Sequence, residues 1–414
     1  LTSTATSWIR RAPWLLALVV TAAGAVYALW LGPDFRYIDE EHYVTLARQL
    51  ATHGEFSMHG DVPTAYRPPG YPFFLAALER LGLGVVGFRI ANFVALGLTI
   101  LATGAMLSRA ASPLAAAVGS LLVAGYPLFF YAAGTLYPQI LAMALLAGAL
   151  LATSRALAQR GLSAGRALGI GAGFGCLVLT IPSFLFTLAL TLAWLALRSG
   201  LPGRIPKALA IGLAAAAIVL PWTARNYLVL GAFVPVSTNS GVNLLYGNSP
   251  DTRPNSGVTA DISAYEARAD GLSETAQDAF YRSEALAFVR ENRAHSLRLY
   301  ALKWLNYFNF RNELATRSEA SSAREWIMLL SYGPLLLLFV ARLLGGWRRP
   351  LPRFDELLAV LYLGMPFFLA IFFTRIRFRL PFDLCLILLV APYLARLLAA
   401  HPRVPLGRAG ATGP

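Results

Sequence analysis

Ten runs of mostly apolar residues divide this chain, near residues 13–32, 86–107, 113–132, 139–156, 167–181, 182–197, 208–224, 325–344, 356–373 and 381–398. A bilayer's hydrocarbon core is about 30 Å thick and takes roughly 20 helical residues to cross, which is the length these runs approach. Lipid offers no partner for backbone N–H and C=O groups, so spans of this kind must be helical. The expected fold is therefore an all-α polytopic membrane protein with about ten transmembrane helices, a single integral membrane domain over 1–414. Composition agrees, because 57% hydrophobic and 14% charged residues is too apolar for a soluble domain or a disordered chain. No small-residue cleavage site follows the first run, so it reads as a retained span. The two cysteines, Cys176 and Cys385, fall inside apolar runs and read as small core residues.

The net charge of +14 raises nucleic acid as a partner, and its placement argues against it. Alternating ten spans sorts the loops onto two sides. One side carries 16 basic residues, from Arg10 and Arg11 through Arg109, Arg198, Lys207 and Arg342 to Arg408, against only Asp355 and Glu356. The other side holds 19 basic and 19 acidic residues. All the excess charge lies on one face, in short loops that cap spans. This is the positive-inside pattern; it predicts cytoplasmic termini and a multi-pass protein of a bacterial inner membrane. Two long segments, 33–85 and 225–324, then face the extracytoplasmic side. Nucleotide-sugars and ATP are essentially absent there, and no Gly-rich phosphate loop is present to bind them.

The first of these segments predicts an amphipathic helix over 40–52, from the helical recurrence of Tyr43, Leu46, Ala47 and Leu50. A rigid Tyr66-Arg67-Pro68-Pro69-Gly70-Tyr71-Pro72 stretch follows, then an apolar piece, Phe73 to Leu83, too short to span. The second segment is turn-rich from Pro221 to Asn248, predicts a helix over 275–293, and carries Tyr300, Trp304, Tyr307 and Phe308 as an aromatic stripe suited to bilayer anchoring.

Asp39, Glu40 and Glu41 follow the first span closely. A carboxylate ionised at neutral pH can take the proton of an acceptor hydroxyl. Asp39 is equally suited to cap the 40–52 helix, with the two glutamates favoured by its dipole. Arg67, presented by two prolines, suits phosphate oxygens. Arg225, Arg375, Arg377 and Arg379 lie at outer membrane edges, where positive charge is normally depleted; snorkelling toward headgroups is the plainer account of them. His42, His53 and His59 lack the spacing of a metal pair, so no metal site is expected.

Taken together and in order, these motifs resemble the GT-C superfamily of polyprenyl-phosphate-sugar-dependent glycosyltransferases. The nearest branch is that of lipid A aminoarabinose transferases and protein O-mannosyltransferases. The resemblance rests on Tyr37-Ile38-Asp39-Glu40 with Tyr43 and Gly54, Tyr66-Arg67-Pro68-Pro69-Gly70-Tyr71-Pro72, Pro221-Trp222 with Arg225-Asn226-Tyr227, Gly241-Val242-Asn243 with Gly247-Asn248, and Arg377-Phe378-Arg379-Leu380-Pro381. It implies a GT-C-like bundle and an inverting transfer of a sugar from a polyprenyl phosphate to a lipid, glycan or protein acceptor, with no further cofactor. Asp39 then stands at the catalytic acidic position, with Glu40 beside it. Arg67 and Tyr66 stand at the carrier phosphate, with Arg225, Asn226, Asn243, Asn248, Arg377 and Arg379 as further substrate contacts. Gln139 stands where many relatives have an acid.

Two other functions compete. An O-antigen polymerase or ligase would lean on loop arginines rather than on a carboxylate after the first span. A transporter or lipid flippase would place ionisable residues at mid-membrane and commonly carry inverted repeats. Arg89, Arg375 and Asp383 are the nearest such residues, all near span ends, and no repeat is evident.

Overall fold

A computed structural model describes residues 3–60, 62–311, 322–346 and 351–400. Arg348, Arg349, Arg403 and Arg408 of the basic face, and residues 312–321 of the second long segment, lie outside the described residues. Seventeen helices and one small hairpin are seen among the described residues. The first half comprises α1 Ser3–Leu31, α2 Ile38–Thr52, α3 Gly70–Arg80, α4 Val85–Ala110, α5 Pro113–Ala124, α6 Pro127–Ala133, α7 Gln139–Ala158, α8 Ala164–Thr180 and α9 Phe184–Leu197. The second comprises α10 Arg204–Leu230, α11 Ser240–Gly247, α12 Ser263–Ala269, α13 Glu274–Glu291, α14 Arg293–Asn306, α15 Ser322–Gly346, α16 Arg353–Leu369 and α17 Ile376–Ala400.

All ten apolar runs are helical, and their lengths separate them. Six helices, in α1, α4, α7, α10, α15 and α17, are long and apolar enough to cross a bilayer. The run 113–132 is a broken span, α5 and α6 meeting at 56°. Local sequence makes this break: Gly125 ends α5, and Pro127 starts α6 at a position where its missing N–H costs nothing. The remaining runs give α8, α9 and α16, of 17, 14 and 17 residues. At 1.5 Å per residue these reach about 26, 21 and 26 Å, at or below the short end of what a crossing takes.

The centre of the bundle is α17. Its residues from Leu380 to Ala391 are buried on every side, as expected of an interior helix, and α5, α7, α15 and α16 pack around it. By contrast α1, α10 and α15 leave large apolar side chains exposed, among them Trp14, Leu18, Leu213 and Leu337, which is the surface lipid would cover. Small residues bring α8 onto α10. A Cβ at Gly171 would lie 2.4 Å from the Ile211 carbonyl oxygen, and one at Gly175 would lie 2.9 Å from that of Ala215. Membrane helices use small residues four apart in this way to let backbones approach.

The amphipathic helix expected over 40–52 is α2, with Tyr43, Val44, Leu46 and Ala47 on its buried face against α3. The helix expected over 275–293 is α13. Two expectations change. The aromatic stripe is packed in part: Tyr307 is buried, while half-buried Tyr300 donates its hydroxyl to the Phe367 carbonyl at 2.9 Å and half-buried Trp304 meets the Phe367 ring at 5.5 Å. The end of α16 thus contacts the stripe from within the protein. Cys385 is a core residue, whereas Cys176 is exposed on α8.

Candidate active site

Asp39 is the second residue of α2 and does not cap it. The N-cap is Tyr37, and no side chain bonds the first turn's amides. The carboxylate is instead turned toward two arginines. Its Oδ1 accepts from Arg67 Nη2 and its Oδ2 accepts from Arg377 Nη1 at 3.2 Å. Burial alone would raise the Asp39 pKa, but the charges of Arg67 and Arg377 outweigh it and hold the carboxyl below its ordinary value. Asp39 is therefore firmly ionised at neutral pH.

Arg67 follows the hairpin Ser57–His59 with Val62–Pro63, and its position is fixed from two directions. Its guanidinium lies over the rings of Tyr43 and Tyr66, at 5.5 and 5.2 Å, and donates to His42 Nδ1 at 2.9 Å. Burial and the neighbouring Arg67 charge push the His42 pKa down, which keeps this ring neutral and able to accept. The chain just before Arg67 is clamped by Glu274, the first residue of α13. Its carboxylate accepts from the Ala65 amide at 2.9 Å and from the hydroxyls of Thr64 and Thr238. The two long segments of the sequence thus meet at residues 64–67.

Arg377 lies in the first turn of α17 with its guanidinium over the rings of Tyr137 and Phe378, at 5.4 and 5.1 Å. In both Arg67 and Arg377 the Nε is buried without a hydrogen-bond partner among the described residues. Buried polar atoms are nearly always paired, so two orphaned guanidinium donors flanking one carboxylate form an unfinished electrostatic arrangement.

The other sequence candidates divide into two groups. Arg225 stays near the site. It donates to the Thr64 carbonyl at 2.7 Å, lies over Trp222 at 4.8 Å, and lines a largely apolar groove of about 570 Å³ with Phe56, Phe73 and Trp222. Tyr66 carries the Arg67 charge on its ring. Asn243 is half-buried on α11. The rest hold backbone. Asn226 donates to the carbonyls of Val234 and Val236 at 3.0 and 3.3 Å. Asn248 donates to those of Leu244 and Ile371, both at 2.9 Å. Arg379 is fully buried, pairs with Asp383 at 2.9 Å, and donates to the carbonyls of Tyr307 and Asn309, both at 2.7 Å.

Glu40 also faces inward. It is fully buried, accepting from the amides of Arg36 at 2.7 Å and Leu136 at 2.9 Å, with Arg89 Nη2 at 3.9 Å. Arg89 in turn donates to the carbonyls of Gly32, Asp34 and Gly134. Together they bind the end of α1, the start of α2 and the turn before α7.

Spacing did not reveal His42, Tyr137, Glu274 or Lys303. Each acts through a partner dozens to hundreds of residues away. Lys303, buried on α14, donates to the carbonyls of Gly247 and Phe372 at 2.9 and 2.8 Å. It therefore pins the linker that leads to Arg377.

No family model matches this chain, and no curated protein does. Similar solved structures exist. One is ArnT from Cupriavidus metallidurans bound to undecaprenyl phosphate, 14% identical with a TM-score of 0.44, covering 92% of this chain and 78% of the other. The second is the same protein in the apo state, 17% identical with a TM-score of 0.42, covering 95% and 78%. Both neighbours are ArnT.

Proposed function

We propose that this protein transfers a sugar from a polyprenyl-phosphate carrier to an acceptor hydroxyl, with inversion, at the end of the bundle where α2 begins. The observation that carries the reading is Asp39 held between Arg67 and Arg377, each with a buried, unpaired Nε. An ionised carboxylate serves as the base, and the arginines serve a leaving phosphate. The acceptor oxygen forms its bond to the anomeric carbon as its proton passes to Asp39. The carbon–oxygen bond to the carrier breaks, and its electron pair leaves on the phosphate. Developing charge there is stabilised by guanidinium donors already fixed in place, which is where electrostatic catalysis gains most. The prenyl chain fits the apolar groove beside Arg225, which adjoins the segment carrying Arg67. Exchange of the carrier for ArnT's undecaprenyl phosphate is the natural first choice of donor lipid. The acceptor is any hydroxyl reaching Asp39 from the same side, and by the charge distribution that side is extracytoplasmic.

Glu40 is left out of the chemistry because its two oxygens are committed to buried amides. A transporter reading gains no support. Among the described residues of the long spans, the fully buried charged groups Arg89, Arg379 and Asp383 sit within two turns of the same ends of α4 and α17, and each has an ion-pair partner. The test is transfer from a synthetic polyprenyl-phosphate sugar by the purified protein, with membrane lipids and envelope glycans supplied as acceptors. Asp39→Asn is expected to lower transfer about a hundredfold or more at normal folding. Arg67→Lys is expected to keep part of it, since charge survives but the two-pronged donor does not. Full-rate transfer by Asp39→Asn would remove the proposed base.

A further inference from the structure

At the opposite end of the bundle from Asp39 lies a second cavity, of about 480 Å³, between α1, α4 and the start of α5. Its lining joins Arg10 and Arg109 to Trp14, Leu101, Ala105 and Pro113, and includes no acidic residue. Both arginines are exposed, and neither forms an ion pair or side-chain hydrogen bond among the described residues. Within its wall α1 and α4 come into close contact: a Cβ at Gly104 would lie 2.6 Å from Pro13. Pro113 is the first residue of α5, so the positive end of that helix dipole also faces this space. Trp14 is largely exposed at the rim, an amphipathic ring at the level where headgroups lie.

We infer that this cavity is a binding site for an anionic glycerophospholipid, its phosphate between Arg10 and Arg109 and an acyl chain running along Leu101 and Trp14. Charge complementarity selects the occupant. Two unpaired cations and a helix N-terminus favour a phosphate, and the apolar wall continuous with the lipid-facing surface of α1 favours one that carries a hydrocarbon tail. Basic pockets between membrane helices recognise anionic headgroups by this combination. The site does not depend on the proposed sugar transfer, since it lies at the far ends of α1 and α4.

The test uses the full chain, delipidated in detergent, and native mass spectrometry with added phosphatidylglycerol or phosphatidylcholine of the same acyl composition. Phosphatidylglycerol should stay bound under activation that strips phosphatidylcholine. Arg10→Ala and Arg109→Ala should each weaken its retention about fivefold, and the pair about thirtyfold, from the usual worth of one basic residue near an anionic headgroup. Arg11→Ala removes an exposed charge from the same helix end but off the lining, and should leave retention unchanged. Ala105→Phe keeps both charges and fills the space, and should lower retention as well. Because neither arginine has a partner among the described residues, melting temperatures of the arginine variants should match wild type. Equal retention of both lipids, or an Arg11→Ala loss as large as the Arg10→Ala loss, would overturn the site.

Discussion

Replacing Asp39 by asparagine should have two effects of opposite sign, and their combination is hard to obtain from any other role. In the free protein the Asp39 carboxylate occupies Arg67 Nη2 and Arg377 Nη1. A carrier phosphate must compete with it for those donors. Two unit charges about 4 Å apart attract by about 4 kcal/mol at an effective dielectric of 20. The side chains are 14–32% exposed, so screening and the retained amide contact reduce the net gain to about 1–2 kcal/mol on removing the charge. Asp39→Asn should therefore bind polyprenyl phosphate roughly tenfold more tightly, while transferring sugar at least a hundredfold more slowly. The assay is displacement of a fluorescent prenyl phosphate from detergent-solubilised protein, alongside turnover. The pH dependence supplies a check on sign. The folded carboxyl titrates below its unfolded value, so its ion pairs stabilise the protein above about pH 4 and are lost as pH falls through the lowered folded pKa. Prenyl-phosphate affinity of the wild type should rise on acidification through that range, where the phosphate is already a monoanion because it takes up its proton at about pH 6, and that of Asp39→Asn should not. Weaker binding by Asp39→Asn would refute the competition and, with it, a phosphate site at these arginines.

Other changes test the supports. Glu40→Ala leaves the Arg36 and Leu136 amides unpaired and Arg89 uncompensated, and should cost about 3–5 kcal/mol by thermal unfolding in detergent, whereas Asp39→Asn should change stability little. Gly247→Ala would place a methyl 1.8 Å from the Phe372 carbonyl oxygen, so the linker before Arg377 must move; a loss of about 1–3 kcal/mol or more is expected, with reduced transfer. Burial pushes the Lys303 pKa down to about 7, below about 10.4 in an unfolded chain. The unfolded state then binds more protons between those values, so stability should rise with pH from about 7 to 10, and Lys303→Gln should flatten that rise.

That the apolar runs are helices was legible in the sequence because apolar runs are a local signal. The helix over 40–52 was legible for the same reason, through its periodicity. The role of its first residues was not. Asp39 and Glu40 read as equivalent acids, and only the turn of the helix separates them. Successive residues point about 100° apart, so Glu40 faces Leu136 while Asp39 faces Arg67. The aromatic stripe was legible only in part, because Trp and Tyr suit a bilayer interface and a packed helix end equally well, and the contacts of Tyr300 and Trp304 with Phe367 lie 63–67 residues away in the chain. Glycines 241 and 247 carried a motif whose meaning is steric. A Cβ at Gly241 would lie 2.0 Å from the Asp278 carbonyl oxygen, so both mark close approach of backbones.

The charged groups around the site follow one division. Those that hold structure bond uncharged partners or each other: Glu274 bonds hydroxyls and an amide, Lys303 carbonyls, and Arg379 both Asp383 and carbonyls, with one Arg379 nitrogen, Nη2, left buried and unpaired. Such contacts fix the segment before Arg67 and the linker before Arg377 without placing further charge at Asp39. What sets Arg67 and Arg377 apart is the carboxylate they share: each spends one Nη on Asp39 and buries an idle Nε beside it. An arrangement selected for stability alone would satisfy those donors, because an unpaired buried polar group costs about 1–3 kcal/mol. The idle donors sit where three separate parts of the chain converge, at α2, at the Pro68-Pro69 turn and at the first turn of α17. On the proposed function an anion would complete them, and the one carboxylate they share would then be free to accept a proton.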